Sequence, residues 1–177
     1  VHFDDEIMRV FQNIGIADEL LPLVRVNPGM KFVDSDNNLL LDWPRPQEIT
    51  PQGWNASYRL HQPDLERLLR KRLESYDNVL VKTGGRVASI DQTGTSVELL
   101  AHSVSTDTSE KYRAQYVIGC DGANSQTRTI IQSELDDYGF QERWLVIDLI
   151  LKKPRPDLGD HSIQFCLPDR PMTYCRG

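Results

Sequence analysis

The chain has 177 residues, 39% of them hydrophobic and 26% charged, with a formal net charge of −6. That length and balance support a buried core and an ordinary folded protein, and the acidic surplus speaks against a nucleic-acid surface. Three cysteines (Cys120, Cys166, Cys175) without a Cys-x-x-Cys pair and four scattered histidines argue against a zinc site or a disulfide scaffold, and no apolar run approaches the length of a membrane span. A soluble, cytoplasmic source is the expectation.

Residues 4–13 carry Ile7, Val10 and Phe11, followed by Ile14, at helical spacing, with acids in the first turn and Gly15 just past the end. This predicts an amphipathic helix. A leucine-rich turn follows at 20–23. Apolar runs at 30–33 and 39–41 flank the cluster Asp34-Ser35-Asp36-Asn37-Asn38, the pattern of a β-hairpin with a loop longer than two residues. The proline-rich stretch 43–54 has no periodicity and reads as a loop or domain crossing.

The next helix is the most sharply drawn. Pro63 suits a first turn, Asp64 and Glu66 oppose the positive end of the dipole, and Leu65, Leu68, Leu69 and Leu73 form a stripe. Arg67, Arg70, Lys71 and Arg72 read as its solvated face. Gln62 falls at the entrance, where its amide either caps the helix or meets ligand hydroxyls; the residues alone favour the cap.

Beyond it, strands are predicted at 79–82, 87–91, 97–100 and 111–118, separated by turn clusters. The last runs through Tyr116 into Asp121-Gly122 and a helix opening at Asn124 or Ser125. Open α/β sheets bind ligands at such an edge. Gly119 and Gly122 let backbone approach a ligand, and unpaired N–H groups at the helix start suit a phosphate. An Asp-Gly turn before a capped helix, with no ligand, satisfies the same spacing. Ser125 lacks the Gly-x-Ser-x-Gly elbow of a nucleophile and reads as a cap. Three further strands, at 144–151, 161–167 and from 172 onward, are joined by proline-containing loops.

The pattern Tyr116-x-Ile118-Gly119-x-Asp121-Gly122-x-x-Ser125-x-x-Arg128 resembles the Asp-Gly fingerprint of the FAD-dependent aromatic hydroxylases, the single-component flavin monooxygenases. His61-Gln62-Pro63-Asp64-Leu65-Glu66 is similar to the segment in which these enzymes set a glutamine against the ribityl chain of the flavin. Residues 3–12, Phe3-Asp4-Asp5-Glu6 and onward, resemble the subgroup acting on 3-(3-hydroxyphenyl)propionate.

The resemblance implies an α/β fold: part of a discontinuous, Rossmann-like FAD-binding domain (1–23 and 55–135) with an inserted antiparallel substrate-binding sheet (24–54 and 136–177). It implies FAD, with NADH or NADPH as reductant, and hydroxylation of a phenolic carboxylic acid by O2 through a flavin C4a-hydroperoxide. Gln62 would meet the ribityl chain, backbone at Arg86 and Val87 the adenine, Asp121 and Gly122 the ribityl and pyrophosphate region, and Arg128 a phosphate or the nicotinamide cofactor. Gln164, Tyr174 and Arg176 lie on strands that would face the substrate, with Arg170 and Arg176 as carboxylate partners. A homo-oligomer is compatible with this reading. A flavin-dependent epoxidase or halogenase of the same framework, or a non-catalytic module without FAD, are the alternatives.

Two motifs of this family are missing. No Gly-x-Gly occurs among the 11 glycines, and the single Gly-Asp pair, Gly159-Asp160, is followed by His161 and Ser162. The sequence therefore reads as an internal segment of a longer chain, expected to hold FAD weakly by itself.

Overall fold

The carboxylate of Asp4 accepts a hydrogen bond from the backbone N–H of Ile7 at 3.0 Å, satisfying one of the donors that a helix leaves open at its start. This cap separates β1 (His2–Asp4) from α1 (Asp5–Asn13). Gly15, at φ 79°, takes the left-handed conformation that ends the helix. The helix is amphipathic, but its buried residues are Met8 and Phe11, whereas Ile7 and Val10 are exposed. What rotates the buried face is aromatic packing: Phe3 meets Phe11 edge-on at 5.4 Å and stacks on Tyr58 at 5.3 Å.

The computed structural model describes residues 1–176 and divides into two compact units, Val1–Val79 with Leu149–Gly177, and Leu80–Asp148. In the first unit α1 is followed by α2 (Ala17–Leu20), a 3-10 turn at Leu21–Leu23 and β2 (Val24–Val26). Next come β3 (Gly29–Val33) and β4 (Leu39–Pro44), the predicted hairpin. Its loop is held by Asp34, whose carboxylate accepts from the N–H groups of Asp36 and Asn38 and from the Asn38 amide, while Asn37 adopts φ 63°. β5 (Ser57–Leu60) leads into α3 (Gln62–Glu74).

β5 is the middle strand of an antiparallel sheet, between β1 and β2. Tyr58 and Leu60 join Phe3, Met8, Phe11, Ile16, Ala17, Leu20 and Leu68 in the core. Of the predicted α3 stripe, Leu68 is buried and Leu65 and Leu69 pack against this core, but Leu73 is exposed. Arg72 departs from the solvated-face expectation. Its Nε donates to the Ile14 carbonyl at 2.7 Å, a cation placed on the open C-terminal end of α1.

The second unit contains the antiparallel meander of β6 (Gly85–Thr93), β7 (Ser96–Ser103) and β8 (Ser109–Ala114), then α4 (Gln126–Ile130). Back in the first unit, β9 (Ser162–Phe165) and β10 (Met172–Tyr174) complete a four-stranded sheet in the order β10-β9-β3-β4. This sheet is mixed, not wholly antiparallel as expected: β3 and β9 run parallel. They are far apart in sequence, so no tight turn fixes their direction.

Two predicted strands, 79–82 and 144–151, do not form, and the one expected at 111–118 is cut short. Residues 79–82, 115–118 and 144–151 pair with no strand among the described residues, and Tyr116, Ile118 and Ile150 are 83%, 85% and 98% exposed. Apolar, β-branched sequence gives a strand only where a ladder partner takes its backbone groups. For the same reason β8 stops at Ala114 and does not continue to Tyr116 and Ile118. No described helix is long and apolar enough to cross a membrane.

Candidate functional site

The Asp121 carboxylate is enclosed by donors from its own turn. One oxygen accepts from the Ser125 hydroxyl at 2.6 Å; the other accepts the Thr127 backbone N–H at 2.9 Å and the Thr127 hydroxyl at 3.1 Å. Ser125 in turn accepts the Arg128 N–H at 3.0 Å and is the N-cap of α4. The hydrogen bond from Ser125, then that from the Thr127 backbone, hold the Asp121 carboxyl far below the usual carboxylate range. Two N–H groups expected to be free for an anion are therefore already taken.

What this turn offers a ligand is backbone. At Gly122, with φ 78°, an added Cβ would meet nothing within 4 Å. At Gly119 the same Cβ would lie 2.6 Å from the Thr127 side chain, so glycine is needed for the chain to close over α4. Arg128 folds back over this loop, its Nη2 donating to the Ala123 carbonyl at 2.9 Å. An open backbone face at Gly122, pinned by an acceptor-saturated Asp121 and rimmed by Arg128, fits the close approach of an extended, anionic cofactor such as FAD.

Val87 sits in β6 beside a register shift between Val87 and Ser89, a bulge that takes Ala88 out of the ladder. The Ala88 carbonyl accepts from the side chain of Gln126, in α4, at 3.1 Å. The strand assigned to adenine and the Asp121 turn are thus tied together by one hydrogen bond. Gln126 was not singled out from the sequence, and nothing in a surface glutamine signals such a role.

Gln62 belongs to the first unit and occupies the first position of α3, where its amide donates to Glu66 at 2.9 Å. It does not cap the helix: His61 stands at the cap position, without a side-chain cap bond. Asp64 accepts from His61 and Arg67, and these two hydrogen bonds lower its pKa.

The three residues assigned to substrate separate. Gln164 lies opposite Thr173, whose hydroxyl donates to it, while Tyr174 lies opposite Ile163. Directly opposed residues share a face and neighbours along a strand alternate, so Gln164 and Tyr174 point to opposite sides of the sheet. Arg176 donates to the Gly159 carbonyl at 3.1 Å and pairs with Asp160 at 3.1 Å.

A residue missed in the sequence is Arg59. It is 5% exposed in the middle of β5, and its Nε and Nη1 atoms are buried without a hydrogen-bond partner. The three cysteines are exposed and free. Among the described residues no three potential metal ligands converge.

Comparison with known proteins gives the family of the chain. The family described as FAD binding domain matches residues 1–173. A probable NADH-specific resorcinol 4-hydroxylase of Rhodococcus jostii (strain RHA1) is 39% identical over 97% of this chain and 32% of its own length. A 3-(3-hydroxy-phenyl)propionate/3-hydroxycinnamic acid hydroxylase of Mycolicibacterium smegmatis (strain ATCC 700084 / mc(2)155) is 34% identical over 90% of this chain and 28% of its own length. The chain thus spans about a third of the length of these curated relatives. Among solved structures, the flavin-dependent monooxygenase PieE, in complex with FAD and substrate, superposes with a TM-score of 0.67 at 19% identity, over 76% of this chain and 25% of that one. The p-nitrophenol 4-monooxygenase PnpA of Pseudomonas putida DLL-E4 gives 0.65 at 18% identity, over 74% and 33%. These two likenesses concern the fold alone. With nearly its whole length matched, the chain belongs to the FAD binding domain family, the family of the flavin-dependent aromatic hydroxylases that its Asp121-Gly122 turn resembles.

Proposed function

We propose that this chain is part of a monooxygenase that uses FAD and NADH or NADPH to hydroxylate a phenol bearing a short carboxylate side chain, with 3-(3-hydroxyphenyl)propionate as the leading substrate. The observation supporting this is that relatives 39% and 34% identical to it, across nearly its whole length, are named as hydroxylases of phenolic rings. When bound, FAD supplies the transfer of electrons from the nicotinamide to O2 and of one oxygen atom to the ring.

The part played by this chain is to bind, orient and exclude water. In this reading Asp121 holds the turn whose backbone at Gly122 lies along the cofactor, Arg128 rims it, β6 backbone at Val87 meets the adenine, and Gln62 meets the ribityl chain. Arg176 addresses the substrate carboxylate, and one of Gln164 and Tyr174 faces the ring. No side chain here is required as a strong acid or base, apart from help in deprotonating the phenol so that its ring becomes a better nucleophile.

The name of the 39% identical relative favours a second substrate, resorcinol, which carries no carboxylate. Full-length protein supplied with NADH and O2, with 3-(3-hydroxyphenyl)propionate, resorcinol and 4-hydroxybenzoate compared, decides between them. Hydroxylated product and NADH consumption are measured separately. Product from the propionate in step with NADH use is the expected result; product from resorcinol alone establishes the second reading, and no product from any phenol rejects both.

A further inference from the structure

Arg59 is a buried cation without a partner for two of its N–H groups, and a buried charge left so costs the fold heavily unless something answers it. Its neighbours make matters worse. In the β1-β5-β2 sheet, Arg59 stands directly opposite His2 on one side and Arg25 on the other, so that all three side chains share one face. Arg25 and Arg59 are like charges directly opposed across a ladder, and such pairs repel. The other face of the sheet carries Phe3, Tyr58 and Leu60 and belongs to the core.

Among the described residues, the carboxylate set against this group is that of Asp160. Asp160 lies 3.9 Å from the Arg25 Nη1 and 3.1 Å from the Arg176 Nη1, so its carboxylate is shared between those two guanidinium groups. Burial lowers the Arg59 pKa; Asp160 and, more weakly, Cys175 oppose that shift, and Arg25 and Arg176 add to it. Arg25, Arg59 and Asp160, with Val26, Pro28 and Gln47, line a cavity of ≈ 210 Å³. Pockets that enclose a whole drug-sized ligand run from about 300 Å³ upward, so this one suits the charged end of a molecule.

We infer that Arg59, with Arg25 and Arg176, forms a binding site for the carboxylate of a small organic acid. A carboxylate is the chemistry this cluster already accepts, in Asp160, and its oxygens suit guanidinium N–H groups. The nature of the acid rests on the function proposed above: the site anchors the side-chain carboxylate of a phenolic acid. It adds Arg59 and Arg25 to a reading in which Arg170 and Arg176 were the carboxylate partners.

The test is calorimetric titration of the purified protein with 3-(3-hydroxyphenyl)propionate, its uncharged amide and inorganic phosphate. The acid is expected to bind at least about tenfold more tightly than the amide, the effect of one charge-assisted contact, and more tightly than phosphate. Arg59→Met should abolish the preference for acid over amide and, without ligand, raise the melting temperature, because an unpaired buried charge is gone. Arg59→Lys should retain part of the preference, and Asp160→Asn should tighten the acid by removing a competing carboxylate. Equal binding of acid and amide, an undiminished preference in Arg59→Met, or stronger binding of phosphate overturns the assignment. Turnover is not used in this test, so the two readings fail separately. Acid binding without hydroxylated product removes the hydroxylase alone; product without a charge preference removes this site alone.

Discussion

Asp121 and Ser125 cap α4 as a unit: the serine hydroxyl donates to the aspartate at 2.6 Å and accepts the Arg128 N–H at 3.0 Å. Asp121 therefore shapes the loop at Gly119 and Gly122 from within. Asp121→Ala in full-length protein is expected to weaken FAD retention on the order of tenfold while lowering the melting temperature only modestly, because the affected helix is one short turn outside the core. Ser125→Ala should act in the same direction and less strongly. Flavin content after dialysis is the measurement; stoichiometric flavin in Asp121→Ala would remove the turn from the cofactor site.

The same carboxylate sets a pH dependence. Its pKa is depressed in the folded state, so its stabilisation is complete above the ordinary carboxylate value of about 4 and is lost as pH falls from there toward the depressed folded value. Asp64 and Asp34 are shifted the same way, by hydrogen bonds from His61 and Arg67 and from Asn38. Melting temperatures should fall below about pH 4, and Asp121→Asn should flatten part of that decline. An identical acid profile in the variant would show that Asp121 carries none of it.

Much of this architecture is written in local pattern. The α3 stripe, the β3–β4 hairpin and the β6–β8 meander follow from periodicity and turn residues acting over a few positions, and each forms close to where it is expected. Segments whose state depends on distant partners are not legible in this way. The residues at 115–118 and 144–151 have strand composition but no ladder, whereas β1, β2 and β5 are three or four residues long and pair regardless. The Asp-Gly turn could be recognised from its residues, but not that Asp121 spends its acceptors on Ser125 and Thr127. Arg59 looks like any outward strand residue until the sheet shows Arg25 opposite it.

The buried face of α1 gives a direct contrast. Met8 is fully buried in the core cluster that also holds Phe3, Phe11 and Tyr58, so Met8→Ala should cost about 2–5 kcal/mol. Ile7 is 42% exposed, and Ile7→Ala should stay within about 1 kcal/mol. Chemical denaturation of both variants checks this; a larger loss for Ile7 would restore the face suggested by spacing alone.

Gly29, the one glycine of the β3–β4 pair, is closely approached by its partner strand. It has φ 125°, and an added Cβ would lie 2.4 Å from the Trp43 carbonyl oxygen and 2.8 Å from the Pro44 Cα. Both obstacles are backbone of the partner strand, so no rotamer change relieves them. Gly29→Ala should destabilise by on the order of 3 kcal/mol, combining strain with overpacking. Gly53→Ala, where a Cβ meets nothing within 4 Å but φ is 83°, isolates the strain and should cost less. Equal losses would mean that the approach of β4 is not what fixes Gly29.

The last prediction concerns FAD itself. Pyrophosphate binding in dinucleotide folds rests on a Gly-x-Gly turn feeding a helix start, and no Gly-x-Gly exists in this sequence. The α4 start does not substitute for it, because its Thr127 and Arg128 N–H groups are taken by Asp121 and Ser125. The contacts left to this chain are backbone near Gly122, the Arg128 guanidinium and side chains such as Gln62, none of which replaces a row of N–H groups on two phosphates. The 177-residue chain should therefore bind FAD weakly, with flavin fluorescence and absorbance changing only at high concentration and no flavin surviving gel filtration. FMN, which lacks the pyrophosphate and adenine, should bind about as well. A tight one-to-one complex with FAD but not with FMN would show that this chain carries its own pyrophosphate site.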